Sequence, residues 1–206
     1  MTESSISPHA VSLNQPAEEV VPEAFSSAVE SMHQARLRPE ISLGTIRPPQ
    51  RLAPFSHAIG LEISRGDLDL PFDTSAESDA FGRLILLYDP QSEEAWDGDM
   101  RLVAYIQADL DHAVASDPLL PEVAWQWLTE GLDDAAVGYN NLGGTVTSTA
   151  SVRFGDLGGP PSSHQLEMRA SWTAEGHDLH QHVVAFAQVL ANVAGLPPEG
   201  IATIDR

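Results

Sequence analysis

The sequence predicts one α+β domain: a mostly antiparallel sheet of about six strands with three main helices packed on it. Three observations carry this. Residues 55–63, 145–154 and 164–173 alternate apolar and polar side chains with a period of two, as half-buried antiparallel strands do. Residues 23–37 and 179–193 carry apolar side chains at helical spacing instead. Proline and glycine clusters at 47–54, 155–163 and 197–198 break the chain between elements. The expected order is α-β-β-β-β-α-β-β-α, over one domain spanning residues 22–200.

Residues 1–21 are polar, without period, and read as a disordered tail; 201–206 read as a short C-terminal tail. The first helix, about 23–37, has Pro22 at its start and an apolar stripe of Phe25, Val29, Met32 and Leu37. Arg38-Pro39 ends it, because the residue before a proline avoids the α region. Ile41–Ile46 is a short strand. RPPQRLAP, residues 47–54, holds three prolines and reads as an extended, stiff segment. In the strand that follows, Phe55, His57, Ile59, Leu61 and Ile63 share one face. Arg65-Gly66-Asp67 is expected to turn the chain into an acidic loop at 71–79. Residues 81–88 and 100–109 form a hairpin.

Asp117-Pro118 has the chemistry of a helix start, and the helix at 118–131 is apolar nearly all round, so burial is expected. Asn140–Gly144 reads as a turn. After it comes a strand at 145–154, with Val146, Ala150, Val152 and Phe154 at its apolar positions. The strand 164–173 turns Leu166, Met168, Ala170 and Trp172 inward, and Gln165, Glu167, Arg169 and Ser171 outward. In the last helix Asp178 is the cap, Gly195 the stop, and Leu179, Val183, Phe186, Leu190 and Val193 the buried stripe.

Charge excludes several functions. The chain has ten Lys plus Arg, all arginine, against 30 Asp plus Glu, a formal net charge of −20, and no cysteine. Disulfides, thiolate nucleophiles, cysteine metal sites, Schiff bases and phosphate-loop lysines are therefore unavailable to it. Between Glu62 and Asp134 there are 18 acids and three arginines, which repels nucleic acid and anionic lipid. Met1–Ser12 lacks the pattern of a secretory signal, and no apolar run could span a bilayer, so a cytoplasmic protein is expected.

The acidic loop DPQSEEAWDGD, 89–99, misses the calcium-loop pattern: Glu94 stands where glycine is needed and Met100 where glutamate is. His177, His180 and His182 lack a metal-helix spacing and read as a solvated first turn. No catalytic residue, cofactor or metal ligand is expected. The candidate binding residues are Arg47, Arg51, Trp125 and Trp127. Arg47 and Arg51 bracket a stiff segment in the one net-positive stretch of the chain, and a guanidinium fork suits carboxylate or phosphate. The tryptophans of 125–127 could line a pocket, although such residues more often serve core or interface.

RPE (38–40), RPPQRLAP (47–54), DPQSEEAWDG (89–98), DPLLPEVAWQWL (117–128), RFGD (153–156) and LEMRASWT (166–173) are specific segments. Together they resemble an actinobacterial family of domains of unknown function, the one numbered three thousand. The resemblance implies a cytoplasmic actinobacterial protein. Genes of that family often neighbour a ribonuclease D gene, which implies an RNA-metabolism setting and a ribonuclease as partner. The functional expectation is a non-catalytic interaction or adaptor protein, chaperone-like, binding another protein and neither nucleic acid nor membrane. The alternative is a small-molecule binder or enzyme whose arginines hold a carboxylate or phosphate.

The tail reading has a direct test. Deleting residues 1–20 is expected to leave the melting temperature unchanged; a drop of more than about 4 °C, near 1 kcal/mol for a domain of this size, would show that the tail packs.

Overall fold

A computed structural model of the chain describes residues 21–63, 80–91, 94–135, 137–156 and 162–198. The strands are β1 (Ile41–Thr45), β2 (Phe55–Ile63), β3 (Ala80–Tyr88), β4 (Met100–Leu110), β5 (Tyr139–Val152) and β6 (Ser162–Ala174). They form one antiparallel sheet in the order β1-β2-β3-β4-β6-β5. The helices are α1 (Glu23–His33), α2 (His112–Ala115), α3 (Leu120–Asp134) and α4 (His180–Val193). The α+β expectation holds, with α2 as an additional single turn. The turn expected at 65–67, the loop at 71–79 and both chain ends beyond 21–198 lie outside the described residues.

Register decides what faces what. One row of paired residues runs Leu61, Gly82, Ile106, Met168 and Val146; its neighbour runs Ile59, Leu84, Ala104, Ala170 and Gly144. These rows carry most of the core and point toward the helices. α4 lies across β3 and β4, and α3 packs beside it against β5. α1 packs on α4, where the backbone N–H of Leu179 donates to Ser31 Oγ at 2.8 Å. Nine of the 14 residues of α4 are buried. Gly82 lets α4 come close: a Cβ there would lie 2.8 Å from Phe186 Cζ. The inward set Leu166, Met168, Ala170 and Trp172 is as the alternation predicts.

Gly195 ends α4 at φ 70°. Its N–H bonds to Asn192 O at 3.0 Å, and the N–H of Leu196 to Ala191 O at 2.9 Å, the paired bonds of a glycine-terminated helix. Arg38 ties this exit to the start of the sheet. Its guanidinium is buried, donates to Pro197 O at 2.9 Å and grips both oxygens of Glu40. That fixture explains why α1 stops at His33 rather than near residue 37: the chain leaves the helix early to deliver Arg38.

Four other expectations are corrected. Asn140–Gly144 is a bulge in β5, not a turn; the register to β6 shifts between Asn140 and Gly143, and Asn141 has φ 49°. Turns and bulges call on the same residue types, because both need positive φ. Phe154 lies beyond the end of β5 and is 79% exposed, and Val152 is 61% exposed. The helix of Trp125 and Trp127 starts at Leu120, and Asp117 Oδ1 caps the preceding turn through the N–H of Leu119. It buries one face only, Leu120, Ala124, Leu128 and Leu132, with both tryptophans half-buried. Last, His182 is not solvated. It is 1% exposed, and its Nδ1 accepts the indole N–H of Trp172 at 3.1 Å.

Trp172 is fully buried beneath α4. Trp172→Ala is expected to cost about 3–5 kcal/mol in a denaturant melt, from lost burial and the cavity left behind. Near wild-type stability would mean that this face of β6 does not pack as described.

Candidate functional site

The helices cover one face of the sheet. No described helix packs on the other, which carries the alternate residues of every strand. Its central row, read across the register, is Gly60, Arg83, Tyr105, Arg169 and Thr145. The next row is Ala58, Ile85, Val103, Ser171 and Gly143, and the one after it includes Leu87, Arg101 and Thr173. Three arginines far apart in sequence thus meet on one surface of an acidic protein.

Their environments differ. The Arg83 guanidinium sits 5.4 Å from the centre of the Phe81 ring, and that of Arg169 5.7 Å from the Tyr105 ring. Arg169 Nε bonds to Glu167 Oε1 at 2.9 Å. The Tyr105 hydroxyl lies 2.8 Å from both Gln107 Oε1 and Glu167 Oε2, and its single proton serves one of them. Partial burial, then the Glu167 carboxylate, raises the Tyr105 pKa. Arg101 donates to Asn141 O, Thr173 Oγ1 and Ser171 Oγ at 2.7–3.0 Å, all neutral acceptors. Burial lowers its pKa. Among the described residues no carboxylate forms an ion pair with Arg83 or Arg101.

Two loops flank this face at its β3–β4 end. Trp96 O accepts from Thr173 Oγ1 at 2.6 Å and from Asn141 Nδ2 at 2.9 Å, which anchors the acidic loop beside β5 and β6. On the other flank the segment after β1 crosses onto β2. The Ile46 N–H bonds to Ala58 O, Ile46 lies over Gly60, and Ser56 Oγ donates to Pro49 O. Arg47 and Arg51 stand on this segment, both exposed, with Arg51 at φ 66° and neither in an ion pair with a described carboxylate.

The candidate tryptophans are elsewhere. Trp125 packs over Gly144 on the helix side of β5. Four strand spacings, about 19 Å, separate β2 from β5, so the structure does not bring Arg47 and Arg51 to Trp125. Trp127 lines a half-open cavity of about 440 Å³ where α2 and α3 meet the end of α4. Leu110, Leu120 and Val193 share its wall with Asp109 and Asp111. Two carboxylates beside a helix C-terminus favour a cation over an anion.

The chain matches the family model described as "Protein of unknown function (DUF3000)" over residues 21–202. It belongs to that family. The matched span contains the arginine face, both flanking loops, the cavity and the six segments that carry the resemblance. No curated protein and no solved structure matches the chain.

The histidines make pairs rather than a metal centre. His33 and His57 meet at 3.0 Å through their Nε2 atoms, and His112 Nδ1 meets His164 Nε2 at 3.1 Å. Burial, then neighbouring His33, lowers the His57 pKa. His177 faces Asp99 and His180 faces Asp178. Among the described residues no three His, Cys, Asp or Glu side chains converge as metal ligands.

His182 gives a pH test. Burial is the main cause that lowers its pKa from 6.5 to about 4, against the pull of Asp178. Between those values the unfolded chain takes up a proton that the fold refuses, so stability falls as pH drops from 6.5 toward 4. His182→Gln keeps an acceptor for Trp172 but cannot titrate. Urea melts across this window should lose about 1.4 kcal/mol per pH unit from their slope in the variant. Equal slopes in the two proteins would show that His182 is charged in the fold.

Proposed function

We propose that this protein is a non-catalytic interaction protein, adaptor-like and cytoplasmic, that docks an acidic segment of a partner protein on the uncovered face of its sheet. The observation that carries this is the Arg83–Tyr105–Arg169 row on a bare sheet face, with Arg101 beside it, in a chain of net charge −20. In such a chain, arginines without carboxylate partners mark where the local field reverses. Arg47 and Arg51 extend the same surface from its flank. Tyr105, Ile85 and Val103 supply an apolar floor between the charges, and guanidiniums fixed over rings lose little entropy on engaging a carboxylate.

A protein segment fits better than nucleic acid. A polyanion meets the long-range repulsion of the whole chain, whereas a short acidic segment needs only a few local contacts. The Phe81 and Tyr105 rings also have arginines over them rather than open faces for base stacking. An arginine-lined small-molecule pocket is the weaker reading, because the cavity holds Asp109 and Asp111 and no arginine. The RNA-metabolism setting implied by the family resemblance makes a ribonuclease the first partner to test.

The test uses a fluorescein-labelled glutamate-rich peptide and fluorescence anisotropy. Binding should weaken with added salt. Arg83→Ser with Arg169→Ser should weaken it about tenfold or more, the loss of about 1.5 kcal/mol or more per charge-assisted contact, at an unchanged melting temperature. Arg47→Ala with Arg51→Ala should weaken it too while leaving the fold intact. Equal peptide affinity in all three proteins, or tighter binding of single-stranded RNA than of peptide, would overturn the proposal.

A further inference from the structure

The two edges of the sheet are built differently. β1 is five residues long and is bracketed by Pro39-Glu40 on one side and Pro48-Pro49 on the other. Short length, charge and proline are the devices that keep an edge from pairing with another chain. β5 has none of them. It runs for 14 residues, YNNLGGTVTSTASV, with no charged side chain and no proline. From Thr145 to Val152 it is Thr, Ser, Val and Ala, residues that suit a pleated strand or leave it unhindered, and Val146 is its one partly covered position. Among the described residues it pairs only with β6. α3 covers the start of the strand, where Tyr139 Oη donates to Asp133 at 2.8 Å and Trp125 lies over Gly144. Beyond that cover stand two bare apolar side chains, Val152 and Phe154.

We propose that β5 is a self-association edge, pairing antiparallel with β5 of a second copy of this chain. Charge selects this occupant. Two copies with net charge −20 repel over most of their surfaces, and β5 is a strand that meets its own image with no like charges opposite. A two-fold axis normal to the sheet keeps each face on its own side, so even-numbered residues must face even-numbered ones. Centred on Thr149, the pairing sets Val146 opposite Val152, and Gly144 opposite Phe154. Phe154 then covers the glycine against which Trp125 packs from the helix side, and both bare side chains gain apolar neighbours. Thr149 meets its own copy, and Thr147 meets Ser151. The pairing lies beyond the bulge at Asn140–Gly143, where the strand is regular.

The chain has no cysteine, so single cysteines report this register cleanly. Thr149→Cys places two thiols opposite one another at a separation that a disulfide can span. Thr147→Cys is on the same face, but its own copy lies four residues along, about 13 Å away. Under mild oxidation Thr149→Cys should form the interchain disulfide at least about tenfold faster than Thr147→Cys, whose thiols lie beyond disulfide reach. Sedimentation velocity of the wild type up to about 500 µM, a range that includes weak interfaces, should show a dimer. That dimer should tighten with salt, as repulsion between the acidic copies is screened. Thr147→Glu with Thr149→Glu should leave a monomer with the wild-type melt. A wild type that stays monomeric, equal cross-linking rates, or a dimer unaffected by the glutamates would overturn the proposal.

Discussion

The contact of α4 with the middle of the sheet is the constraint on which the rest of the molecule depends. Phe186 sits on Gly82, where any side chain would push the helix away. Trp172 lies beneath the same helix and spends its indole N–H on His182, which leaves no buried donor unpaired at that point. α4 in turn positions its neighbours: α1 docks through Ser31 and Leu179, α3 packs alongside, and the helix exit at Gly195 is held by Arg38. One well-seated helix therefore organises a single helical layer and fixes which face of the sheet becomes core.

The other face follows from the same constraint. With the helices on one side, alternation along each strand must send every second residue to the opposite surface. There the chain places Arg83, Arg101 and Arg169, apolar residues between them, and a loop on each flank. An arginine costs little on a solvated sheet, so stability alone does not demand it there. Three of them among so many acids, two without carboxylate partners, make this face the part of the surface whose composition binding explains better than folding.

Much of the architecture was legible in the residues. The alternation of 164–173, the stripe from Leu179 to Val193 and the Gly195 stop each reflect local rules that the packing then reinforced. What misled was local chemistry with two uses. Asn and Gly at 140–144 serve a bulge as readily as a turn. His182 looked like part of an exposed cluster, because neither its spacing from Trp172 nor its burial is visible without the register between β6 and α4. The arginine face was hidden for a similar reason. Arg169 reads as outward on its own strand, but its neighbours Arg83 and Arg101 are fixed by a strand order in which β6 inserts between β4 and β5, and no local pattern states that order. The stiff Arg47–Arg51 segment drew notice because its charges are adjacent in sequence; charges adjacent only in space gave no such signal.

The central claim is that the arginine-bearing face is open to solvent while Arg38 is locked inside. An arginine-selective dicarbonyl reagent followed by peptide mass spectrometry measures this directly, and the absence of lysine removes the usual side reaction. Arg83 and Arg169 should be modified rapidly, Arg38 slowly, and an acidic peptide should protect the first two and not change the third. Arg83 and Arg169 reacting as slowly as Arg38 in the free protein would contradict the account, because the face would then be covered.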